Sequence, residues 1–214
     1  MQYHKFYINR ACDTERAKKF DDTWIRAPAV DWKDLEEDNV MFERMVSFYN
    51  INPQEHKAKT ACFMSHYNLL RKISDQKIDR CVIVEDDAIE VNELPDSIEL
   101  GNEFCYLGGY FSHLKMTSGP LKEIVHSQLG LNELNRDTHR LLMTVAYYIP
   151  HHSIATKIVE FLDSKVRIRA IDVMLHSIPC PVNYYYPARF IESDELSTIR
   201  PKKRKHPNSD YLLV

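Results

Sequence analysis

The sequence lacks the features of a membrane protein or a disulfide scaffold. Nowhere in its 214 residues does an unbroken apolar run approach the ~20 residues of a membrane span. The opening MQYHKFYINRACDTER has no apolar stretch of the kind a secretory signal or an anchor needs, and is read as neither. Cysteine is sparse and odd in number: Cys12, Cys62, Cys81, Cys105 and Cys180 are scattered, with no CxxC pair. That spacing argues against a disulfide framework and a structural zinc site, and the expected state is buried, reduced thiols in a cytoplasmic protein. Charge of one sign is also lacking. A net charge of -3 leaves no broad basic footprint, so no nucleic-acid partner is expected.

What is present is an ordinary core-forming composition. Hydrophobic residues at 44% and charged residues at 28% suit one globular domain at this length. The reading is a single α/β domain over 1–199 followed by a basic tail over 200–214. A first strand is expected at His4 to Asn9. Asp13 is placed to cap a helix from Thr14 to Phe20, and a second short strand runs from Thr23 to Ala27, closed by Pro28. Together these open an α/β sheet. Asp31 to Asn52 is read as containing an amphipathic helix that Pro53 ends. Thr60 to Ser74 then sets Cys62, His66, Leu69 and Ile73 on one helical stripe, with Phe63, Tyr67 and Leu70 beside it.

The run Cys81-Val82-Ile83-Val84 is continuously apolar and β-rich, which predicts a buried central strand. Later strands are expected at Phe104 to Leu107, ended by Gly108-Gly109, at Met143 to Ile149, and at Val182 to Tyr185. Helices are expected at Ser153 to Leu162 and Asp172 to Ser177, and Lys115 to Arg140 is irregular.

Glu85-Asp86-Asp87, directly after the apolar strand, is the most informative segment. Three adjacent carboxylates repel one another, and burying them unpaired is costly. At the carboxyl end of a parallel strand they would stand where α/β sheets bind ligands. Alternation along an extended chain lets Glu85 and Asp87 face the same way. Hard oxygen donors of this kind suit Mg²⁺ or Mn²⁺, ions that keep waters and bind substrate phosphates. A solvated acidic turn is the other reading of the same residues.

These motifs, taken in order, resemble glycosyltransferase family 25, the lipopolysaccharide-biosynthesis glycosyltransferases, a family with virus-encoded members. Phe6-Tyr7-Ile8-Asn9 with Asp13-Thr14-Glu15-Arg16 is similar to the family's opening "INL…R" segment. Ala29-Val30-Asp31 resembles its "AVD" step, KTACFMSH from Lys59 to His66 its "GEIGCALSH" helix start, and VIVEDDA from Val82 to Ala88 its "LILEDDV". Thr144-Val145-Ala146-Tyr147 resembles "GTAAY", Asp172 sits at the aspartate of a "VD" pair, and Ser197-Thr198-Ile199 resembles a terminal "SDI". The chain departs from the pattern at Lys59-Thr60 for Gly-Glu, at Arg10 for a leucine, at Thr198 for an aspartate, and at Met143 where a glycine is usual.

The resemblance implies a GT-A fold, Rossmann-like, with a mixed, mostly parallel central sheet flanked by helices. It implies a nucleotide-diphospho-sugar donor, UDP-linked, a carbohydrate acceptor, and Mn²⁺ or Mg²⁺ held by the acidic motif. Carried over, Asp87 is the metal ligand with Glu85 as its partner, and Asp86 contacts the ribose or donor sugar. Asn9, Arg10, Arg16, Asp31 and Ser65 join the donor site.

Several of these residues have a plainer alternative. Arg16 can pair with a diphosphate or with Asp13. Asp172 can be the general base that takes the acceptor's proton, or a helix cap. His66, on an apolar stripe, is read first as a core imidazole that braces the acidic loop. Tyr184 to Tyr186 are read as packing rather than as a sugar platform, and the basic tail as a solvated terminus.

Transfer by a single inverting displacement is the leading expectation. One alternative is a metal-dependent nucleotidyltransferase, although ACDTERAKK contains no glycine for a phosphate-binding loop. The other is a non-catalytic nucleotide-sugar-binding module, which an intact acidic motif argues against.

Overall fold

Cys81, Val82, Ile83 and Val84 are wholly buried, as a continuously apolar run demands, and they form the heart of β3 (Cys81–Glu85). The computed structural model describes residues 3–36, 39–45, 52–113 and 128–193. Ser197-Thr198-Ile199, the basic tail and much of the Lys115–Arg140 stretch lie outside the described residues.

β3 lies between two unlike neighbours. On one side it pairs in parallel with β1 (His4–Asn9), which pairs in parallel with β2 (Trp24–Pro28). On the other it pairs antiparallel with β7 (His139–Ile149). The sheet continues through β5 (Phe104–His113) and β8 (Val182–Tyr186) to β6 (Gly130–Glu133), in the order β2-β1-β3-β7-β5-β8-β6. It is a mixed sheet: β5 and β8 are parallel, while β5–β7 and β6–β8 are antiparallel. The expected α/β architecture, a mixed central sheet flanked by helices, is the one observed, and it is compatible with a Rossmann-like glycosyltransferase fold.

Strand alternation sends each side chain to one of two cores. Phe6, Ile8, Ile83, Tyr147 and Ile149 face the helices α3 (Pro53–Asp75), α4 (His152–Asp163) and α5 (Ile171–His176). Tyr7, Val82, Val84, Cys105 and Tyr148 face the other way. There Phe20 stacks on Tyr7 at 4.2 Å, and Trp24 and Phe190 close the layer. A two-stranded pair, β4 (Ala88–Glu90) with β9 (Phe190–Glu192), lies on this second face.

Several boundaries differ from the sequence expectation for identifiable reasons. Pro53 starts α3 instead of ending the helix before it: Asn52 Oδ1 accepts from Glu55 N at 2.8 Å, and Pro53 fills the first turn, where its missing N–H costs nothing. α2 covers only Val40–Arg44 among the described residues. The helix α1 is just Thr14–Ala17, and Asp13 at its N-cap makes no side-chain cap bond, because Arg10 takes its carboxylate. Gly108-Gly109 does not end β5. The strand runs on through two register shifts, and a β-carbon at Gly108 would overlap the carbonyl oxygen of Phe190. Of the five cysteines, all free, Cys12 is exposed and Cys62 half-buried, so only Cys81, Cys105 and Cys180 are buried as expected.

Candidate active site

Three parallel strands deliver their carboxyl ends to one edge of the sheet. β1 ends at Asn9-Arg10, β2 leads into Ala29-Val30-Asp31, and β3 ends at Glu85. Because Ile8 pairs with Glu85, Asn9 stands beside Asp86. β7, running the other way, brings Met143 and Thr144 in at the same edge.

Each carboxylate of the acidic motif has a different environment. Glu85 Oε1 lies 3.3 Å from His66 Nε2 and accepts a short hydrogen bond from the Thr144 hydroxyl, leaving Oε2 outside these bonds. His66 is buried, and its Nδ1 is 2.9 Å from the Tyr147 hydroxyl. Because a carboxylate only accepts, the ring donates to Glu85 through Nε2, while Nδ1 shares a hydrogen bond with the Tyr147 hydroxyl. Burial pushes the Glu85 carboxyl up, but the His66 and Thr144 bonds outweigh it, and the group sits below its usual value. The expectation that His66 braces the acidic segment matches this geometry.

Asp86 is divided between two partners. Asn9 Nδ2 donates to one oxygen at 2.8 Å, and Arg16 Nη1 donates to the other at 3.0 Å. Arg16 thus pairs with Asp86. Asn9 is the hub of this corner: it also donates to Asp13 O at 3.0 Å, and its Oδ1 accepts from Arg26 Nε at 3.1 Å. Arg26 carried no sequence signal, because its role depends on the β1–β2 register.

Asp87 is the outlier. Its Oδ1 is buried and has no hydrogen-bond partner among the described residues. Burial first, then the charges of Glu85, Glu192 and Asp86, push its carboxyl up to about 7, against a smaller pull from Arg16. Glu192 reaches this corner because Ala88 pairs with Glu192 across β4 and β9, and Ser193 N donates to Asp87 O at 2.9 Å. Neither short strand was legible in the sequence, so Glu192 was missed.

The remaining candidates lie around this centre. Arg10 bridges Asp13 at 2.8 Å and Asp31 at 3.4 Å. Burial raises the Asp31 carboxyl, but the Lys33 amide and Arg10 outweigh that and hold it below its usual value. Ser65 Oγ donates to Ala61 O at 2.7 Å and accepts from Val30 N at 2.9 Å, so the hydroxyl positions the backbone next to Asp31.

Asp172, in the first turn of α5, accepts from Val173 N at 2.8 Å and from Met143 N at 3.1 Å. Met143 holds φ at +66°, a left-handed conformation that favours glycine, and glycine is what the family pattern has there. Glu85, Asp172 and Asp87 all surround Cys62. Burial and then these three carboxylates push its thiol well up.

The sequence model of glycosyltransferase family 25 (LPS biosynthesis protein) matches residues 26–175, more than two-thirds of the chain. The chain belongs to glycosyltransferase family 25. The match covers the AVD step, the Lys59–His66 helix segment, the acidic motif and Asp172, while the first-strand segment at Asn9 to Arg16 lies outside it. No curated protein matches the chain significantly. Membership of family 25 carries transferase activity on a glycosyl donor and an acceptor. Among the described residues, no helix is long and apolar enough to cross a membrane.

Proposed function

We propose that this family 25 member transfers a sugar from a UDP-linked nucleotide-diphospho-sugar to a carbohydrate hydroxyl in one inverting, metal-dependent displacement. The observation that carries this reading is the buried Asp87 Oδ1, without a hydrogen-bond partner among the described residues, near the carboxylates of Glu85, Asp86 and Glu192. An orphaned carboxylate oxygen beside further carboxylates is a poor structural element and a good seat for Mn²⁺ or Mg²⁺. Asp87 would hold the ion, with Glu85 as its partner through Oε2.

When bound, the ion supplies Lewis-acid stabilisation of the leaving diphosphate. The protein's own residues do the rest. His66 and Thr144 fix Glu85 so that it cannot swing out of the edge. Asp86, clamped by Asn9 and Arg16, holds the Arg16 guanidinium at the β1–β3 corner, where it faces an incoming anion. Arg10 and Asp31 form the outer wall and offer polar atoms to the nucleoside. Asp172, oriented by two backbone amides, takes the proton from the acceptor hydroxyl.

The test is release of nucleoside diphosphate from UDP-sugars with and without Mn²⁺, followed by NMR of the product's anomeric centre. Release that ignores Mn²⁺ and EDTA sinks the metal assignment, and retained configuration sinks the single displacement. Calorimetric preference for nucleoside triphosphates over UDP-sugars would move the assignment to nucleotidyl transfer.

A further inference from the structure

At the other end of β3 stands a second cluster that the transferase reading does not use. Asp79, two residues before the strand, meets His151 and His152 at the start of α4. One ligand atom from each lies within 4.8 Å of the others. Asp79 Oδ1 is 2.8 Å from His152 Nδ1 and 3.6 Å from His151 Nε2. The two rings lie 4.0 Å apart, centroid to centroid. The side chains are open to solvent, at 44% for Asp79, 53% for His151 and 26% for His152.

We propose that Asp79, His151 and His152 form a second metal site, for a borderline divalent ion such as Zn²⁺, distinct from the carboxylate site proposed at Asp87. Two imidazoles and one carboxylate are the donor set that Zn²⁺ takes, whereas Mg²⁺ and Mn²⁺ favour oxygen. Bonds of about 2.0–2.1 Å in tetrahedral geometry separate ligand atoms by roughly 3.3 Å. The 2.8 and 3.6 Å separations to Asp79 bracket that value, and the third pair lies within 4.8 Å.

The backbone already fixes two of the three ligands. His152 N donates to Asp79 Oδ1 at 2.9 Å, tying the loop before β3 to the helix start. His151 Nδ1 accepts from Ser153 N at 3.2 Å and lies 2.8 Å from Ser153 Oγ. An ion on Nε2 moves the proton to Nδ1, where Ser153 Oγ becomes its acceptor and the amide cap is given up. The site therefore binds at a cost to the cap, and Ser153 orients the ligand from behind. The ion would clamp α4 to the amino end of β3, the end opposite the acidic motif.

The experiment is calorimetric titration of the full chain with Zn²⁺ alone, alongside His151→Asn and His152→Gln. Asn keeps a capping oxygen, so the first variant tests the imidazole and not the cap. The wild type should show a saturable site that each variant weakens by about tenfold or more, and that Ser153→Ala weakens less. Bound Zn²⁺ at tenfold excess over its dissociation constant should raise the wild-type melting temperature by roughly 3–6 °C. Asp87→Ala should retain this binding, and His151→Asn should retain the wild-type rate of sugar transfer. If Zn²⁺ finds no saturable site, or if the histidine variants bind it as the wild type does, the site does not exist. Loss of Zn²⁺ binding in Asp87→Ala alone would assign the ion to the acidic motif and equally overturn it.

Discussion

His66 Nε2, carried by the long helix, lies 3.3 Å from Oε1 of Glu85 at the end of the central strand. This contact joins the two elements that the sequence pattern made clearest. Replacing His66 by Ala leaves a half-buried carboxylate with only the Thr144 hydroxyl as a hydrogen-bond partner among the described residues. The expected loss is about 1–3 kcal/mol of stability, with a fall in transfer rate. His66→Gln, which keeps a donor, should recover part of both. Chemical denaturation of the three proteins checks it, and equal stability of Ala and wild type would show that the contact carries no energy.

Asp87 gives a stability signature with a defined sign. Its folded-state value of about 7 stands above the ordinary 3.8, so in the ion-free protein stability falls as pH rises between those limits. Asp87→Asn removes that penalty. The variant should be more stable than wild type above pH 7, with the difference vanishing towards pH 4. Mn²⁺ should raise the melting temperature of wild type and not of the variant. Transfer should fall roughly a hundredfold or more in Asp87→Asn and in Asp87→Ala. Normal activity with normal Mn²⁺ dependence in Asp87→Ala would refute the metal assignment, and simple unfolding would make the carboxylate structural.

Arg16 and Asp86 should behave as a unit. Both side chains are largely buried, at 14% and 13% exposure, and they pair at 3.0 Å. Arg16→Ala and Asp86→Ala are expected to weaken UDP binding by less in combination than the sum of the singles. Asp86→Asn should be milder than Asp87→Asn, because an amide still accepts from Asn9 or Arg16. Strict additivity in a calorimetric double-mutant cycle would dissolve the pair.

Gly108 is required by close approach rather than by its backbone angles. A side chain there would overlap the Phe190 carbonyl, so Gly108→Ala must push β9 outwards. That strand carries Glu192 towards Asp87. The expected outcome is a stability loss of about 1–3 kcal/mol together with weaker Mn²⁺ binding. An unchanged melting temperature would mean that β9 yields freely.

Asp172→Asn isolates the proposed base. One oxygen and its hydrogen bond survive, so the fold should hold, while kcat falls by about 10²–10⁴-fold with donor affinity little changed. A matched fall in donor affinity would make Asp172 a support for the Met143 turn instead.

The sequence by itself determined the central strand, the long helix and the identity of the acidic motif. Cys81 to Val84 can only be a buried strand, because four consecutive apolar β-formers leave no solvent face. The 3.6-residue stripe through Cys62, His66, Leu69 and Ile73, with Phe63, Tyr67 and Leu70 beside it, marked the helical face to bury. Local pattern encodes such elements, since period and composition act over a few residues.

Tertiary structure decided how the carboxylates are shared out. Asp86 is held by Asn9 and ion-paired with Arg16, Glu85 is braced by His66 and Thr144, and Asp87 is left with a buried oxygen that has no partner among the described residues. Those differences depend on the β1–β3 register, on an antiparallel β7 bringing Thr144 from 59 residues away, and on a three-residue β9 too short to leave a periodic signal. Neighbours in space set the electrostatics of a carboxylate, and adjacency in the chain does not record them.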